Sequence, residues 1–506
     1  MASPQPSFRD SARRTAPAPR NLEPDAAYRA IETHDARFDG RLFVGVTSTR
    51  VYCRPVCRVR TPQQRHCRFF GNAASAEAAG FRPCRRCRPE LAPGVSLVDS
   101  PHTLATHAAR VIARAARDGD ALPMPALARR LGVTDRHLRR IFQDVHGVSP
   151  LAFLTTQRLL FAKHLLSDTV LPVTQVALLA GFSSLRRFNA AFGEHYRLTP
   201  SELRRRAAVE APAGDDGIVL RLAYRPPYNG RGVMAFLARR ALPGIECIDA
   251  SKLALWRSLR IDTEGTSRIG WVAVRLDPER AQVELRLSAS LLPVTGRVIE
   301  RARHALDLDA EPHAMTDVLR GVPAPVVEGL RVPGSFDPFE TTVRIILGQQ
   351  VTVAAARTLA MRVAERFGEA IDDAPPGVQR LFPSPARLAA ADDDSIGSLG
   401  IVSSRIRAIR AVAHAIVDGR LRLDAAADLE ASLATLRALP GIGEWTAQLV
   451  AMRVLAWPDA FVAGDIGVLK ALGHRDAKLA QAQSQAWKPW RSYAVMQLWQ
   501  SLESGT

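Results

Sequence analysis

Five of the six cysteines of this chain fall between residues 53 and 87. Four of them form two pairs, Cys53-x-x-x-Cys57 and Cys84-x-x-Cys87, at the spacing with which thiolates hold tetrahedral zinc. Such a quartet fits a purely structural zinc knob and equally a reactive centre, since zinc keeps sulfur as a thiolate and a thiolate is a nucleophile. Cys67 has no partner at ligand spacing and reads as a strand residue beside Phe69 and Phe70. Cys247 stands alone and reads as a small buried apolar residue. A second chemistry lies far downstream, in Leu-Pro-Gly-Ile-Gly-Glu-Trp-Thr-Ala from Leu439 to Ala447, followed twenty residues after Trp445 by Asp465. Gly441 and Gly443 can adopt backbone angles closed to other residues, so their amides can face one phosphate from the N-terminus of the next helix. Taken alone, this word is also an ordinary turn, and Asp465 is also a helix cap or a solvated carboxylate.

The elements that must position these groups follow from periodicity. Residues 1–22 are rich in Pro, Ser, Ala and Arg, lack apolar periodicity and read as disordered. A compact cysteine-bearing unit spans 23–93. Residues 98–207 carry helical spacing broken at Gly132, Gly147 and Gly181, and contain two related helix-turn-helix halves, Ala126–Val145 and Val173–Phe192. In the first half Leu127, Leu131, Leu138, Ile141 and Phe142 read as core. Residues 208–217, Ala-Val-Glu-Ala-Pro-Ala-Gly-Asp-Asp-Gly, read as a linker. Gly217–Tyr224, Gly270–Leu276 and Gln282–Leu287 alternate as half-buried antiparallel strands do, which makes 218–300 a small α+β domain. Residues 301–506 are Ala- and Leu-rich with helical period and proline breaks at Pro333, Pro375, Pro376 and Pro440. The fold class expected is multidomain and mainly α with α+β parts.

Size and charge narrow the function. At 506 residues the chain exceeds one core. Of its net charge of +18, +16 lies in residues 1–210 and +2 in the rest, so the electrostatic grip expected for a polyanion sits in the first half. A solvated Arg-rich surface is the alternative. The N-terminus lacks the apolar core of a signal peptide and no run of about 18 apolar residues could span a membrane. The expectation is a cytoplasmic protein associated with the bacterial nucleoid, with no membrane partner.

Three stretches resemble known families. Tyr-Cys-Arg-Pro-Val-Cys at 52–57 and Ala-Ala-Gly-Phe-Arg-Pro-Cys-Arg-Arg-Cys-Arg-Pro-Glu at 78–90 resemble the N-terminal zinc domain of Ada methylation-response proteins over about 25–92. That resemblance implies one zinc held by Cys53, Cys57, Cys84 and Cys87, with Cys53 accepting a methyl group from a DNA phosphotriester. Methylation removes one of the two net negative charges of a four-thiolate zinc site, so tighter DNA binding is expected to follow. The helix-turn-helix pair, with Leu198-Thr-Pro-Ser-Glu-Leu-Arg204 after it, resembles the AraC-type DNA-binding domain over 98–207. It implies DNA contacts by some of Arg136, His137, Arg139 and Arg140, and by some of Ser184, Arg186, Arg187 and Asn189, the others being a solvated face. Promoter DNA and RNA polymerase are the partners this implies.

The hairpin word, Asp465 and Trp487-Lys-Pro-Trp-Arg-Ser-Tyr-Ala494 resemble the AlkA type of DNA-3-methyladenine glycosylase over about 218–502. Pro226-Pro227-Tyr228, Arg344-Ile-Ile-Leu-Gly-Gln-Gln-Val351 and Phe382-Pro-Ser-Pro-Ala-Arg-Leu-Ala-Ala390 agree. The resemblance implies an antiparallel α+β domain ahead of helical domains forming a cleft, with Asp465 catalytic and double-stranded DNA as substrate. It places Trp445, Trp499 and Phe236 at the base pocket, with core packing as the alternative for the two tryptophans and an equal reading for Phe236, and Gly441, Gly443, Thr446, Gln349 and Gln350 on DNA. Gln350 stands where that type carries a leucine wedge, and Leu449 and Ile466 stand where it has pocket tyrosines. Lyases place a Schiff-base lysine where Trp445 stands, so a monofunctional hydrolase is expected. No cysteine follows Cys247, which excludes a four-cysteine iron-sulfur cluster there, and no organic cofactor is expected. No Pro-Cys-His-Arg word occurs, so Cys53 is expected to serve signalling and phosphotriester repair rather than base repair. A catalytically silent, lesion-binding second half attached to a regulator is the alternative reading.

Overall fold

The computed structural model describes residues 23–35, 38–92, 103–119, 122–131, 133–169, 171–207, 218–263, 266–423 and 429–503. The tail at 1–22, the linker at 208–217 and Gly132 lie outside them. In the cysteine-bearing unit, β1 (Phe43–Val46), β2 (Val51–Cys53), β3 (Cys67–Phe70) and β4 (Arg82–Pro83) form one sheet in the order β3-β1-β2-β4. β2 and β4 run parallel, with Tyr52 opposite Pro83. The strand end carrying Cys53 therefore lies beside the chain that leads into Cys84.

The next unit is all helical. Met124–Arg130 with Asp135–His146, and Val173–Leu179 with Leu185–Tyr196, make the two helix-turn-helix halves. Thr134 and Ser184 cap the second helix of each half by accepting a backbone N–H. Gly147 ends the first of these helices at φ 73°, a left-handed angle that glycine adopts without strain. Leu127, Leu138 and Phe142 are buried, and Leu131 packs partly buried beside them. Helix Pro150–Asp168 joins the halves. Its residues are apolar nearly all round, the pattern of a helix covered on several sides, and it packs against helix Ala73–Ala78 of the cysteine-bearing unit, helix Thr103–Asp118 and a strand of the following domain.

That strand is β5 (Ile218–Ala223), one edge of an antiparallel sheet with β6 (Glu246–Asp249), β7 (Ala254–Thr263), β8 (Thr266–Asp277) and β9 (Gln282–Leu287), in the order β5-β9-β8-β7-β6. β6 and β7 were not among the strands expected, because β7 is buried on both faces along much of its length and shows no clean alternation. The sheet shares one apolar core with the second helix-turn-helix half: Leu165, Phe188 and Phe192 belong to the same buried cluster as Leu220, Leu222 and Leu285. Helix Thr295–Ala305 runs straight through residue 300, where the sequence reading set a boundary, because Val298, Ile299 and Ala302 pack into that core.

The remaining helices enclose a separate core that includes Val343, Ile409, Val450 and Val495. Helices Leu429–Ala438 and Glu444–Arg453 form a hairpin around Pro440 and Gly441. Glu369–Ala370 pairs with Arg380–Leu381 in a small sheet absent from the sequence reading. No helix among the described residues is long and apolar enough to cross a membrane.

Candidate active site and metal centre

Asp465 sits at the N-cap of helix Ile466–Ala471, where its Oδ1 accepts the Val468 N–H at 3.0 Å. Two indoles converge on the same carboxylate. Trp445, in the first turn after the hairpin, donates from Nε1 to Oδ2 at 3.0 Å, and Trp499, on helix Arg491–Glu503, donates from Nε1 to Oδ1 at 2.8 Å. The cap and the reactive carboxylate are thus one residue. Three N–H donors fix its direction, while it stays half-exposed. Gly467 was not singled out from sequence. A Cβ there would lie 3.1 Å from Asp465 Oδ1 and 3.1 Å from the Trp499 ring, so the glycine keeps the indole and the carboxylate in reach of each other. Its signal was a glycine two residues beyond the aspartate.

The hairpin turn is braced from behind. Gln349 Nε2 donates to the Gly441 carbonyl and to Thr446 Oγ1, both at 2.9 Å, and Arg405 donates to the Gln349 carbonyl. Thr446 is only 2% exposed, so its hydroxyl braces the turn and does not face DNA as expected. Gly443 caps helix Glu444–Arg453 in extended geometry and is exposed. Gly441 has φ 78°, and a Cβ there would meet Ala408 Cβ at 2.9 Å. Gly441→Ala is therefore expected to cost about 1–3 kcal/mol, measured by urea unfolding. An unchanged midpoint would show that the turn is not held tightly against helix Ser403–Val417. Gln350 is exposed at φ 54°, with Val351 beside it 37% exposed. Phe236 is 2% exposed, and the guanidiniums of Arg240 and Arg453 lie 3.7 and 4.9 Å from its ring centroid. It is core, with no free face for a base. Leu449 is buried, whereas Ile466 stands 77% exposed beside Asp465.

The four cysteines converge as their spacing implied, with their sulfurs all within 4.8 Å of one another. Hydrogen bonding among the four, first of all with Cys57, pushes the Cys53 thiol up, while hydrogen bonding, first of all with Cys53, pulls Cys84 down. Four thiolates this close repel one another unless a cation sits among them, and the donor set fits zinc. Sequence reasoning overlooked Arg54 and Asp39. The Arg54 amide donates to Cys87 Sγ at 3.3 Å, and its buried guanidinium donates to the Cys87 carbonyl and grips the Asp39 carboxylate. Cys53 is 5% exposed and Cys87 more open. Cys67 lies on β3, its Sγ 3.4 Å from the Gln63 carbonyl, and burial pushes its thiol up to about 11. Cys247 is exposed and not buried: it sits on the edge strand β6, next to Gly377, while the alternate residue Glu246 points inward.

On the helix-turn-helix pair, Arg136, Arg139, Arg140, Arg186, Arg187 and Asn189 are exposed on their helices. Arg139 pairs with Asp135 at 2.9 Å, and Arg140 lies 3.3 Å from the half-buried His137. Ser184 is half-buried, with its Oγ committed to the cap.

A four-cysteine centre and paired helix-turn-helix units, followed by a helical hairpin that presents a capped carboxylate, define a regulator fused to a base-excision fold. Four family profiles cover it in turn: "Metal binding domain of Ada" at 26–90, "Helix-turn-helix domain" at 127–206, "AlkA N-terminal domain" at 219–337 and "HhH-GPD superfamily base excision DNA repair protein" at 343–491. A Mycobacterium tuberculosis protein described as "Probable bifunctional transcriptional activator/DNA repair enzyme AlkA" is 39% identical over 95% of this chain and 96% of its own. The DNA-3-methyladenine glycosylase 2 of Escherichia coli is 36% identical over 55% of this chain and 95% of its own. The bifunctional transcriptional activator/DNA repair enzyme Ada of the same organism is 29% identical over 42% of this chain and 56% of its own. The chain belongs to the AlkA family of bifunctional transcriptional activator/DNA repair enzymes, an Ada-like zinc and helix-turn-helix regulator joined to an AlkA-like glycosylase.

Proposed function

We propose that this protein excises alkylated bases of the 3-methyladenine type from double-stranded DNA by monofunctional hydrolysis, and that its first half senses DNA methylation through Cys53. The observation that carries the first part is the Asp465 carboxylate held by two indole N–H groups. A glycosidic bond is hidden in the duplex until the nucleotide is flipped out. Alkylation at a ring nitrogen leaves the base cationic and a good leaving group, so little general acid is needed. Asp465 stabilises the positive charge developing on the sugar and orients the attacking water. The indole faces of Trp445 and Trp499 attract the cationic base, worth roughly 0.5–2 kcal/mol, in surroundings that Leu449 and Ile466 make less aromatic. With Trp445 in the hairpin and no lysine, no Schiff base forms. The test is release of free base from methylated duplex without strand nicking. A borohydride-trapped adduct with DNA would overturn the monofunctional reading.

The two indoles act on Asp465 through their N–H groups, which a phenyl ring lacks. A hydrogen bond to a charged group contributes about 1.5–3 kcal/mol, so Trp499→Phe is expected to slow single-turnover release roughly 10- to 100-fold. Binding of methylated duplex should change little. A loss confined to binding would make Trp499 a stacking residue alone.

In the first half, the Cys53 thiolate attacks the methyl carbon of a methylphosphotriester. The S–C bond forms, the C–O bond breaks, and the phosphodiester anion leaves. Zinc, when bound, keeps the sulfur ionised at neutral pH. The fall in negative charge then strengthens the hold of the helix-turn-helix pair on operator DNA, and RNA polymerase is the partner recruited. Peptide mass spectrometry after incubation with methylated DNA is expected to find the methyl group on Cys53, and a methyl on the more open Cys87 would overturn the assignment. Operator affinity unchanged by that methylation would sink the switch.

A further inference from the structure

The cysteine centre touches the glycosylase half through a buried chain of polar contacts. Arg54, bonded to Cys87, holds the Asp39 carboxylate, and the Asp39 carbonyl accepts Arg225 Nε from the glycosylase half at 2.9 Å. Asp39 is 3%, Arg54 6% and Arg225 1% exposed. Arg225 also donates to the Asp309 carbonyl at 3.1 Å and lies 3.9 Å from Glu311, which Arg41 of the zinc side grips at 2.6 Å. Beyond Arg225, its carbonyl accepts Arg331 at 2.7 Å. The next residue, Val332, donates its N–H to Asp307 Oδ2, which also accepts the Tyr493 hydroxyl, each at 2.9 Å. Tyr493 lies on helix Arg491–Glu503, the helix that presents Trp499 to Asp465.

Buried guanidiniums with this many fixed partners do not slide. Removing one partner leaves charge stranded in a water-poor interior, so each contact holds its neighbours in a single arrangement. The apolar core shared between the second helix-turn-helix half and the five-stranded sheet closes off independent movement of the halves. Helix Thr295–Ala305 adds a close approach: a Cβ on Gly296 would overlap the Arg117 carbonyl of the regulator half.

We propose that the cysteine centre and the base-excision site are coupled through the Arg54–Asp39–Arg225 contact, so that filling either site strengthens the other. The coupling rests on the zinc-bound, lesion-binding reading above. Loss of metal opens the cysteine unit and frees Asp39 from Arg225, so a duplex that holds the Arg225 end in place resists that opening, and the intact centre in turn keeps the other end set for its duplex. Coupling between binding sites is reciprocal. A duplex held at Asp465 therefore slows loss of metal from a centre on the other half of the chain.

The test uses the full zinc-loaded chain and reads zinc loss to a chromogenic chelator. It compares a duplex bearing a tetrahydrofuran abasic analogue with an undamaged duplex of the same length, both saturating. The undamaged duplex accounts for contacts that the basic first half makes with any DNA. The abasic duplex is expected to slow zinc loss about tenfold more than the undamaged one, within the usual span of site-to-site coupling. Arg225→Met should abolish that difference. Glu311→Gln, which keeps the side-chain size and loosens only the clamp on Arg41 and Arg225, should reduce it and serves if Arg225→Met does not fold. Equal zinc loss with the two duplexes, in a chain that holds one zinc and prefers the abasic duplex, overturns the coupling alone. A chain that holds no zinc, or shows no preference for the abasic duplex, overturns the functional reading and the coupling with it.

Discussion

Asp465→Asn should lower single-turnover release of 3-methyladenine from methylated duplex about 10³-fold, the scale of losing a preorganised electrostatic group at a developing charge. The substitution is informative because it separates the two tasks of this residue. Asparagine caps a helix about as well as aspartate, so helix Ile466–Ala471 should stay in place and the unfolding midpoint should move little. What is lost is the negative charge that the proposed hydrolysis sets against the sugar. One indole N–H must also face an amide NH₂ in place of an oxygen, a mismatch worth about 1–3 kcal/mol. Affinity for an abasic-analogue duplex should largely survive, since the hairpin glycines and the brace from Gln349 are untouched. Chromatography of released bases distinguishes three outcomes. Release by the wild type alone supports hydrolysis by Asp465. Release by both proteins would remove Asp465 from the mechanism, and release by neither would make the second half a silent lesion-binding module.

The second large effect is expected from metal removal. The sheet of the cysteine unit has strands of four, three, four and two residues, and Cys53, Cys57 and Cys84 are themselves members of its small buried cluster. A unit this small lacks the apolar core to hold four thiols together unaided. Zinc binding to such a quartet contributes on the order of 10–16 kcal/mol at neutral pH, more than the whole stability of many domains. Chelation is therefore expected to open the unit. The four cysteines should react with a thiol reagent, and the amides of β1 to β3 should lose protection from hydrogen exchange. Cys84→Ser should mimic chelation, because the serine hydroxyl does not ionise to replace the thiolate. Unchanged protection in the metal-free chain would mean that packing against helix Pro150–Asp168, and not the metal, holds the unit together. Because Arg54 bonds both Cys87 and Asp39, the loss should extend to the Asp39–Arg225 contact.

Much of the site was legible in the residues because its parts are local. The cysteine pairs, the Pro-Gly-Ile-Gly turn and the capped recognition helices each depend on neighbours a few positions away. Their chemistry leaves a pattern at fixed spacing. The misjudged residues were those whose role depends on which way a side chain points. Thr446 turned inward to Gln349, Phe236 went under two guanidiniums, and Cys247 faced outward from an edge strand. Spacing carries no information about any of these. β7 escaped for a related reason, since a strand covered on both faces loses the alternation that marks a half-buried one.

By itself the sequence determined a zinc-thiolate quartet, a basic paired helix-turn-helix and a hairpin with an aspartate beyond it, because ligand spacing, helix period and turn residues are set by short-range geometry. Only the tertiary structure decided that Trp499, 34 residues beyond Asp465, would share its carboxylate with Trp445. Only it decided that Asp39 and Arg225, 186 residues apart, would join the cysteine-bearing unit to the glycosylase half. A buried polar contact of that separation is selected by the packing of whole domains around it, and it leaves no periodicity along the chain.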